Sequence, residues 1–353
     1  MKQLKTENPD MQWENKEGGR ELPFAFTGSG SEYFRIWIVN TLLGLVTLGI
    51  YTAWAKVRTL QYFYRNTRVD NATFDYHGNP LAILKGRIIA FVLFGALQMG
   101  GYISPLLPLV ALLIVAAVMP FLLVRSLRFR MANSSYRGLR FAFRGSDGDG
   151  YKAFLLWPLL AVLTLGILTP LAHQRLKQFQ HGNARFGTAP FAFHAPVSAF
   201  YRVYVAVSLT GVLLAGGGAA LGALLGSAVG AASVLTVSGA ALGLWLAFML
   251  AAPLYRARLQ NTIWRATTLA EHRFGSDVRT GRLFLIMLTN AILIVLTLGL
   301  FLPFARVRVA RYCVESMTLF AAGPLDHFIA AEIDQVDALG DAAAEWYDID
   351  IAL

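Results

Sequence analysis

Residues 47–58 read TLGIYTAWAKVR, and the same pattern returns twice further along the chain. The second copy is TLGILTPLAHQR at 164–175, and the third is TLGLFLPFARVR at 297–308. Each copy ends an apolar stretch and leads into a basic one, so the fold is predicted to be built by repetition. The positions that define the motif are Thr47, Gly49, Trp54, Arg58, Thr164, Gly166, Pro170, Arg175, Thr297, Gly299, Pro303 and Arg308.

The composition is that of a membrane protein. The 353 residues are 56% hydrophobic and 15% charged, with a mean hydropathy of +0.51. No Asp, Glu, Lys or Arg occurs at 88–124 or at 203–255. A membrane-spanning helix needs about 20 apolar residues, so each uncharged run has room for two helices. We therefore expect a mainly α, polytopic helical membrane protein with three internal repeats, two intervening helical hairpins and small cytoplasmic strand pairs.

Alternating apolar and polar residues flank the copies and predict the strands. Phe24 and Phe141 open such stretches before the first two copies, and Phe74 and Phe191 open others after them. The resulting division is a polar N-terminal tail at 1–22, repeat 1 at 23–80 with membrane segment 33–53, hairpin 1 at 81–127, repeat 2 at 128–197 with membrane segment 151–172, hairpin 2 at 198–255, repeat 3 at 256–325 with membrane segment 282–305, and an acidic amphipathic tail at 326–353.

Charge placement bears on the topology. Basic residues lie on both sides of the second and third copies, whereas the turns inside the uncharged runs carry no charge. Cytoplasmic loops are the ones enriched in Lys and Arg, so simple crossing by every apolar segment conflicts with this rule. Each repeat segment either turns at Thr-Leu-Gly and re-enters the cytoplasm, or spans the membrane with a kink. Both termini are expected to be cytoplasmic.

The first copy carries a family resemblance. The lead at 24–29, the motif at 47–58 and the segment at 66–76 resemble the YjgN-like family of bacterial multi-pass inner-membrane proteins, a domain of unknown function. The resemblance covers about 23–325, and in the second copy Leu171 and His173 replace Trp54 and Lys56. It implies a location in the bacterial inner membrane. It implies no activity, substrate or catalytic residue.

Polar and basic residues supply the candidate sites. The polar residues predicted within the membrane are Asn40, Gln98 and Asn290, which either hydrogen-bond between helices or line a polar path. Basic segments interleaved with aromatics after each copy suit the head-group region, where cations reach lipid phosphates. The head-group candidates are Lys56, Arg58, Arg65, Arg68, Arg175, Lys177, Arg308 and Arg311. The expected partners are therefore membrane lipids, with anionic head groups foremost.

The search for chemistry gives little. His77, His194 and His327 each lie 30 residues after a motif Thr and are weak metal candidates, without a carboxylate at ligand spacing. No phosphate loop, nucleophile elbow or paired-cysteine motif is present, so we expect no enzyme, no cofactor and no metal. Basic residues follow the ends of apolar segments and form no single stripe, which argues against nucleic-acid binding.

Two classes of function remain open. Repeated architecture and broken helices favour a transport or channel-like protein. Basic-aromatic segments and the lack of charges within the apolar runs favour a lipid-binding or membrane-organising scaffold instead. Residues 321–353 hold eight acids and no Lys or Arg, so the acidic tail could also bind a protein partner or the basic surface of the chain itself.

Overall fold

The computed structural model of the protein describes residues 20–104 and 106–323. The helices are α1 (Gly30–Val46), α2 (Thr52–Arg65), α3 (Pro80–Ile103), α4 (Leu107–Ala132), α5 (Asp147–Tyr151), α6 (Trp157–Leu163), α7 (Thr169–Gly182), α8 (Val197–Ala228), α9 (Ala232–Arg265), α10 (Thr280–Leu296) and α11 (Leu302–Glu315). A π-helical turn, Lys152–Leu156, joins α5 to α6. The strands are β1 (Arg20–Pro23), β2 (Ala25–Phe26), β3 (Thr67–Val69), β4 (Ala72–Tyr76), β5 (Ser134–Tyr136), β6 (Leu139–Phe143), β7 (Ala184–Phe186), β8 (Ala189–Phe193), β9 (Thr267–Leu269), β10 (His272–Ser276) and β11 (Met317–Ala321).

All these strands belong to one antiparallel sheet, in the order β1-β11-β10-β9-β8-β7-β6-β5-β4-β3-β2. The two end strands, β1 and β2, follow each other in the chain with only Phe24 between them. The Phe24 N–H donates to the carbonyl of Met317 in β11, 3.0 Å away, which holds this junction against the sheet. The sheet therefore curls back to its starting strand and forms a near-barrel.

The connections between strands alternate between the two ends of the near-barrel. At one end, two-residue turns link neighbouring strands. Asp70 and Asn71 form one of them with φ of 45° and 58°, and Arg137 and Gly138 another with φ of 50° and 82°. Positive φ at both central residues matches the twist of antiparallel strands. At the other end, pairs of helices make the connections: α1–α2, α3–α4, α5–α7, α8–α9 and α10–α11.

The helix pairs form a closed ring above the near-barrel. Within each pair the two helices contact each other. Neighbouring pairs also touch: α2 contacts α3, α4 contacts α5, α7 contacts α8, and α9 contacts α10. The contact between α11 and α1 completes the circle. Helix ring and near-barrel therefore share one central axis.

The helix-rich fold is confirmed, and three helices, α4, α8 and α9, are long and apolar enough to cross a membrane. The expected small strand pairs need correction. Strands flanking each copy do pair with each other, as in β2 with β3 and β6 with β7, but β4 also pairs with β5, and β8 with β9. Because both edges of every strand find partners, the pairs merge into one sheet. The uncharged runs occupy the same place in the fold as the three copies, between successive strands.

The main apolar core fills the inside of the near-barrel. It gathers buried side chains from strands all round the sheet, which can meet only in its interior. Members include Leu22, Val69, Tyr136, Phe186 and Leu269. Smaller clusters lie where each helix pair joins the strands. The helices thus emerge from a packed apolar base.

Candidate functional site

Five phenylalanines form a closed ring inside the near-barrel. Their ring centroids are separated by 6.4 Å for Phe24 and Phe74, 6.3 Å for Phe74 and Phe141, and 6.4 Å for Phe141 and Phe191. The distances are 6.2 Å for Phe191 and Phe274, and 6.5 Å for Phe274 and Phe24. The five sides differ by 0.3 Å at most, so the ring is close to a regular pentagon.

Each phenylalanine occupies the same structural position. Four of them lie on the strand that leads into a helix pair, and Phe24 directly precedes such a strand, β2. Each stands two residues before another buried residue. The local sequences are FAFTG, FDYHG, FAFRG, FAFHA and FGSDV, starting at 24, 74, 141, 191 and 274. Successive side chains of a strand alternate between faces, so the first and third residues of each point inward. The antiparallel register then sets the five first residues at one level.

The ring geometry brings the five side chains close to the central axis. Neighbouring ring planes are inclined to each other by 12–39°, less than the 72° between neighbours that five planes parallel to the axis would show. The phenylalanines therefore turn their edges toward the centre. In a regular pentagon with these sides the centre lies about 5 Å from each centroid, so carbon contact distances leave between the five rings a gap no wider than about one water molecule.

The lining of this constriction is apolar. Phe24 and Phe274 are 9% exposed, and the other three are partly buried. Below them Phe186 packs 5.0 Å from Phe141, and above them Trp264 packs 5.3 Å from Phe274. The charged residues Asp75, Arg140 and Arg273 neighbour ring phenylalanines in the sequence, and the alternation of strand side chains directs them to the outer face of the sheet. An uncharged ring of this width resists the passage of water and ions, since neither finds a hydrogen-bonding partner there.

Ion pairs brace the periphery. The Asp70 carboxylate, in the turn between β3 and β4, lies 2.7 Å from the Arg137 guanidinium and 3.1 Å from the Arg20 guanidinium. Asp75, next to Phe74, accepts from the Arg65 Nε at 2.8 Å. Burial works to raise the pKa of Asp75, but the hydrogen bonds from Arg65 and the Tyr76 N–H, together with the positive charge of Arg65, outweigh burial and hold that pKa below its usual range. The two carboxylates thus tie a turn and a helix end to the sheet.

The Thr-Leu-Gly motifs form tight turns between helices. In the first copy α1 ends at Val46 and α2 begins at Thr52, with Leu48 at φ 49° and Gly49 at φ 92°. The Thr47 hydroxyl donates to the Leu43 carbonyl at 2.6 Å and accepts from the Tyr51 N–H at 3.0 Å. Gly166 and Gly299 adopt the same conformation, and Thr164 and Thr297 make the same pair of bonds.

The remaining motif positions lie in the second helix of each short pair. Pro170 and Pro303 stand in the first turn of α7 and α11, where a missing N–H costs nothing. Trp54 stacks on Tyr51 with centroids 6.1 Å apart, and Arg58 is exposed on α2. The Arg175 guanidinium lies 5.6 Å from the Trp157 ring.

The polar residues predicted within the membrane have different surroundings. Asn40 and Asn290 are buried at equivalent places on α1 and α10. Asn290 donates to the Ala305 carbonyl and accepts from Arg308 at 2.6 Å, so it does join helices. The Asn40 Oδ1 is buried without a hydrogen bond. Gln98 lies on α3, and its side chain is outside the described part of the chain.

The predicted head-group cations are spread around the helix ring. Lys56 is exposed on α2, Arg65 is paired with Asp75, and Arg68 is exposed on β3. Lys177 donates to Gln180 at 3.1 Å. Arg308 and Arg311 lie together on α11 and line a shared cavity.

The three candidate histidines do not assemble into a metal site. His77 contacts the Ser135 hydroxyl at 2.8 Å, and His194 is exposed at the equivalent rim position of another helix pair. His327 lies outside the described residues. Within 20–104 and 106–323 no group of three His, Cys, Asp or Glu side chains could hold a metal ion.

These features define a helix-rich membrane protein whose helix ring stands on a curled antiparallel sheet. The chain belongs to the family described as "Bacterial protein of unknown function (DUF898)", which matches residues 21–346. It is 33% identical to inner membrane protein YjgN of Salmonella typhimurium over 122 residues, 34% of this chain and 31% of that protein. It is 33% identical to inner membrane protein YjgN of Escherichia coli O157:H7 over 126 residues, 35% of this chain and 31% of that protein.

The alignment spans less than a third of the curated relatives' own length. No solved structure matches the chain. The relatives' names and the three apolar helices together support an inner-membrane location. Neither the family description nor the names of these relatives includes an enzymatic activity.

The ring of phenylalanines could have been found in the sequence. Phe24 and Phe141 were assigned to strands that open a copy, and Phe74 and Phe191 to strands that close one. The repeated sequence pattern aromatic-x-aromatic-x-Gly or Ala indicates instead that each of these four phenylalanines precedes a helix pair. Phe274 does not fit this sequence pattern, and its place in the ring is recognised only from the pairing of its strand in the sheet.

Proposed function

We propose that the chain is a multi-pass, channel-like protein of the inner membrane, with the phenylalanine ring as the gate of an axial path. The observation that carries the proposal is the near-regular pentagon of Phe24, Phe74, Phe141, Phe191 and Phe274 on the axis shared by sheet and helix ring. An opening of about one water molecule between apolar edges keeps a path dry, and so closed, without a moving plug.

The arrangement of the helices supports a definite topology. Every helix pair leaves from the same end of the near-barrel, so the sheet lies on one side of the membrane. The 32 residues of α8 and the 34 of α9 extend about 50 Å, more than a hydrocarbon core of about 30 Å. Hence α8–α9 spans the membrane and returns, and α3–α4 does the same.

The three pairs with Thr-Leu-Gly turns are shorter. α1 and α10 have 17 residues each, which extend about 25 Å and fall short of a full crossing. Their turn leucines, Leu48, Leu165 and Leu298, are each 94% exposed and suit contact with lipid. We assign these pairs as re-entrant. The basic residues near the sheet support the proposal that the near-barrel and both termini are cytoplasmic.

Flux through proteoliposomes tests the gate. The wild-type chain is expected to pass K⁺ and Cl⁻ slowly. The double variant Phe141→Ser/Phe191→Ser replaces two neighbouring rings of the pentagon with hydroxyl groups that water can bind. It should raise the flux of at least one of these ions tenfold or more. Phe320→Ser is the matched control, because Phe320 is 43% exposed and lies outside the ring.

Two results would count against the proposal. If the double variant elutes from gel filtration as the wild type does and its flux equals that of Phe320→Ser, the ring is not a gate. If the double variant does not fold, the single variant Phe191→Ala takes its place, since Phe191 is partly buried and its loss costs less packing. Unchanged ion flux in that folded variant would equally refute the gate.

A lipid-binding scaffold is the second candidate. The observation that favours it is the clustering of unpaired arginines on α10 and α11 beside exposed apolar helix surface. A scaffold would retain anionic lipid through purification and show no change in flux when the phenylalanine ring is opened. The flux assay therefore separates the two functions.

A further inference from the structure

A cavity of about 280 Å³ lies between α10, α11 and the start of α1. One end of it is charged and is formed by Arg282, Arg308 and Arg311. The other end is apolar and is formed by Phe301 and Phe304, whereas Ile286 lies on α10 between Arg282 and the residues that bind Arg308. The two ends are set apart along α11, where the ten residues from Phe301 to Arg311 correspond to about 15 Å.

The three guanidinium groups are held in place by neutral partners. Arg308 donates to Asn290 at 2.6 Å and to the Thr289 hydroxyl at 3.1 Å. Arg311 donates to the Gly28 carbonyl at 2.7 Å. The Arg282 guanidinium lies 5.2 Å from the centre of the Tyr312 ring. These contacts orient the side chains and leave their charge uncompensated.

The charge balance of the cavity is positive. Within the described residues none of the three arginines forms an ion pair, and the one carboxylate in the lining is Glu315. Guanidinium groups keep their charge at all relevant pH values and match the geometry of phosphate oxygens. The charged end is therefore suited to a phosphate group.

The arginine set is a property of the third copy alone. Counting from the motif Thr, the positions of Arg282 and Arg311 are filled by Glu32 and Gln61 in the first copy. In the second copy they are filled by Asp149 and Gln178. Only the position of Arg308 is basic in all three. Since the other two copies form the same helix turn without the extra arginines, the fold does not need them.

We propose that this cavity binds one anionic phospholipid, with its phosphate at Arg282, Arg308 and Arg311 and the first part of an acyl chain along Phe301 and Phe304. A free phosphate compound would satisfy the arginines but leave the apolar end empty. The site rests on the membrane insertion of α10 and α11 under the proposed function, not on conduction, so its failure and the failure of the gate give different results.

The test compares lipid retention by native mass spectrometry and lipid affinity in detergent. Phosphatidylglycerol is the probe, phosphatidylcholine the uncharged-lipid control, and glycerol 3-phosphate the soluble control. The variant is Arg282→Glu/Arg311→Gln, which gives the third copy the residues that the first copy has at the equivalent positions. The matched control is Arg140→Glu/Arg144→Gln, which makes the same charge change at exposed positions on β6 and directly after it.

Wild-type protein and the matched control are expected to bind one phosphatidylglycerol with equal affinity, and the cavity variant at least tenfold more weakly. Phosphatidylcholine should bind wild-type protein weakly. Equal loss in both variants would reduce the effect to net charge and overturn the site. Glycerol 3-phosphate binding as tightly as phosphatidylglycerol would show a free-anion site and overturn the lipid assignment. If the double variant does not fold, Arg311→Gln alone is used, and full retention of lipid would refute the proposal.

Discussion

The contact between α8 and α9 gives the sharpest test of the packing. Gly218, Gly222 and Gly226 lie four residues apart on α8 and face the backbone of α9. A Cβ added at Gly222 would overlap the carbonyl group of Leu235, and one at Gly218 would overlap that of Gly239. Because backbone atoms cannot rotate aside as side chains do, an alanine at Gly222 must push the helices apart.

The structure also supplies a control on the same helix. A Cβ added at Gly216 meets nothing within 4 Å. Gly222→Ala and Gly216→Ala share the gain in helix propensity, so the difference between them isolates the overlap. We expect Gly222→Ala to be less stable than Gly216→Ala by about 1–3 kcal/mol, the usual cost of overpacking.

The assay is reversible unfolding of the purified protein in mixed micelles with increasing denaturing detergent, followed by circular dichroism. Gly216→Ala should unfold at the wild-type midpoint or above it, and Gly222→Ala clearly below. Equal free energies of unfolding for the two variants would refute the claim that α8 and α9 approach through this glycine face. The four-residue glycine spacing continues to Gly230, but Gly230 has φ 71° and lies beyond the end of α8, so it is not part of this face.

Three further predictions concern turns and titration. Gly166→Ala places a side chain at φ 89° and should lower the free energy of unfolding by about 1–2 kcal/mol, whereas Gly182→Ala, inside α7, should not; equal losses would contradict this. Thr297→Val removes two hydrogen bonds and should cost about 1–3 kcal/mol in the same assay, and no loss would contradict it. Burial lowers the pKa of His272 below its ordinary 6.5, so the unfolded chain binds the proton more readily than the folded one, and thermal stability should fall as the pH drops below 6.5. His272→Asn should make stability depend less on pH in this range, and an unchanged pH dependence would contradict the prediction.

Local chemistry made the helical turns predictable. The turn is determined by five consecutive residues that begin with the motif Thr. The threonine hydroxyl hydrogen-bonds the backbone on both sides of the turn, and the glycine adopts a positive φ. The strands were also readable, because alternation along 24–29 and 141–146 is a local property of the sequence. Pairing of β2 with β3 follows once the segment between them turns back.

Closure of the sheet was not predictable in the same way. β4 and β5 pair across the whole of α3 and α4, and β1 pairs with β11 across nearly the whole described chain. Alternation shows that a segment is a strand, but it does not say which distant strand lies beside it. The uncharged runs lack the Thr-Leu-Gly turn, so their equivalence to the copies is visible only from their shared place between strands.

The five units also explain why the phenylalanine ring is so regular. A side chain on the inside of a closed sheet is placed by the register of its strand. Four leading strands carry phenylalanine at one register position, and Phe24 directly precedes β2 at the equivalent place. Apart from the short α5 and α6, the helices above differ in length from 14 to 34 residues without moving that position. Helix length sets how deeply each pair reaches toward the membrane, whereas the sheet sets the constriction. The two can therefore vary independently, and changes in the helix pairs should leave the pentagon intact.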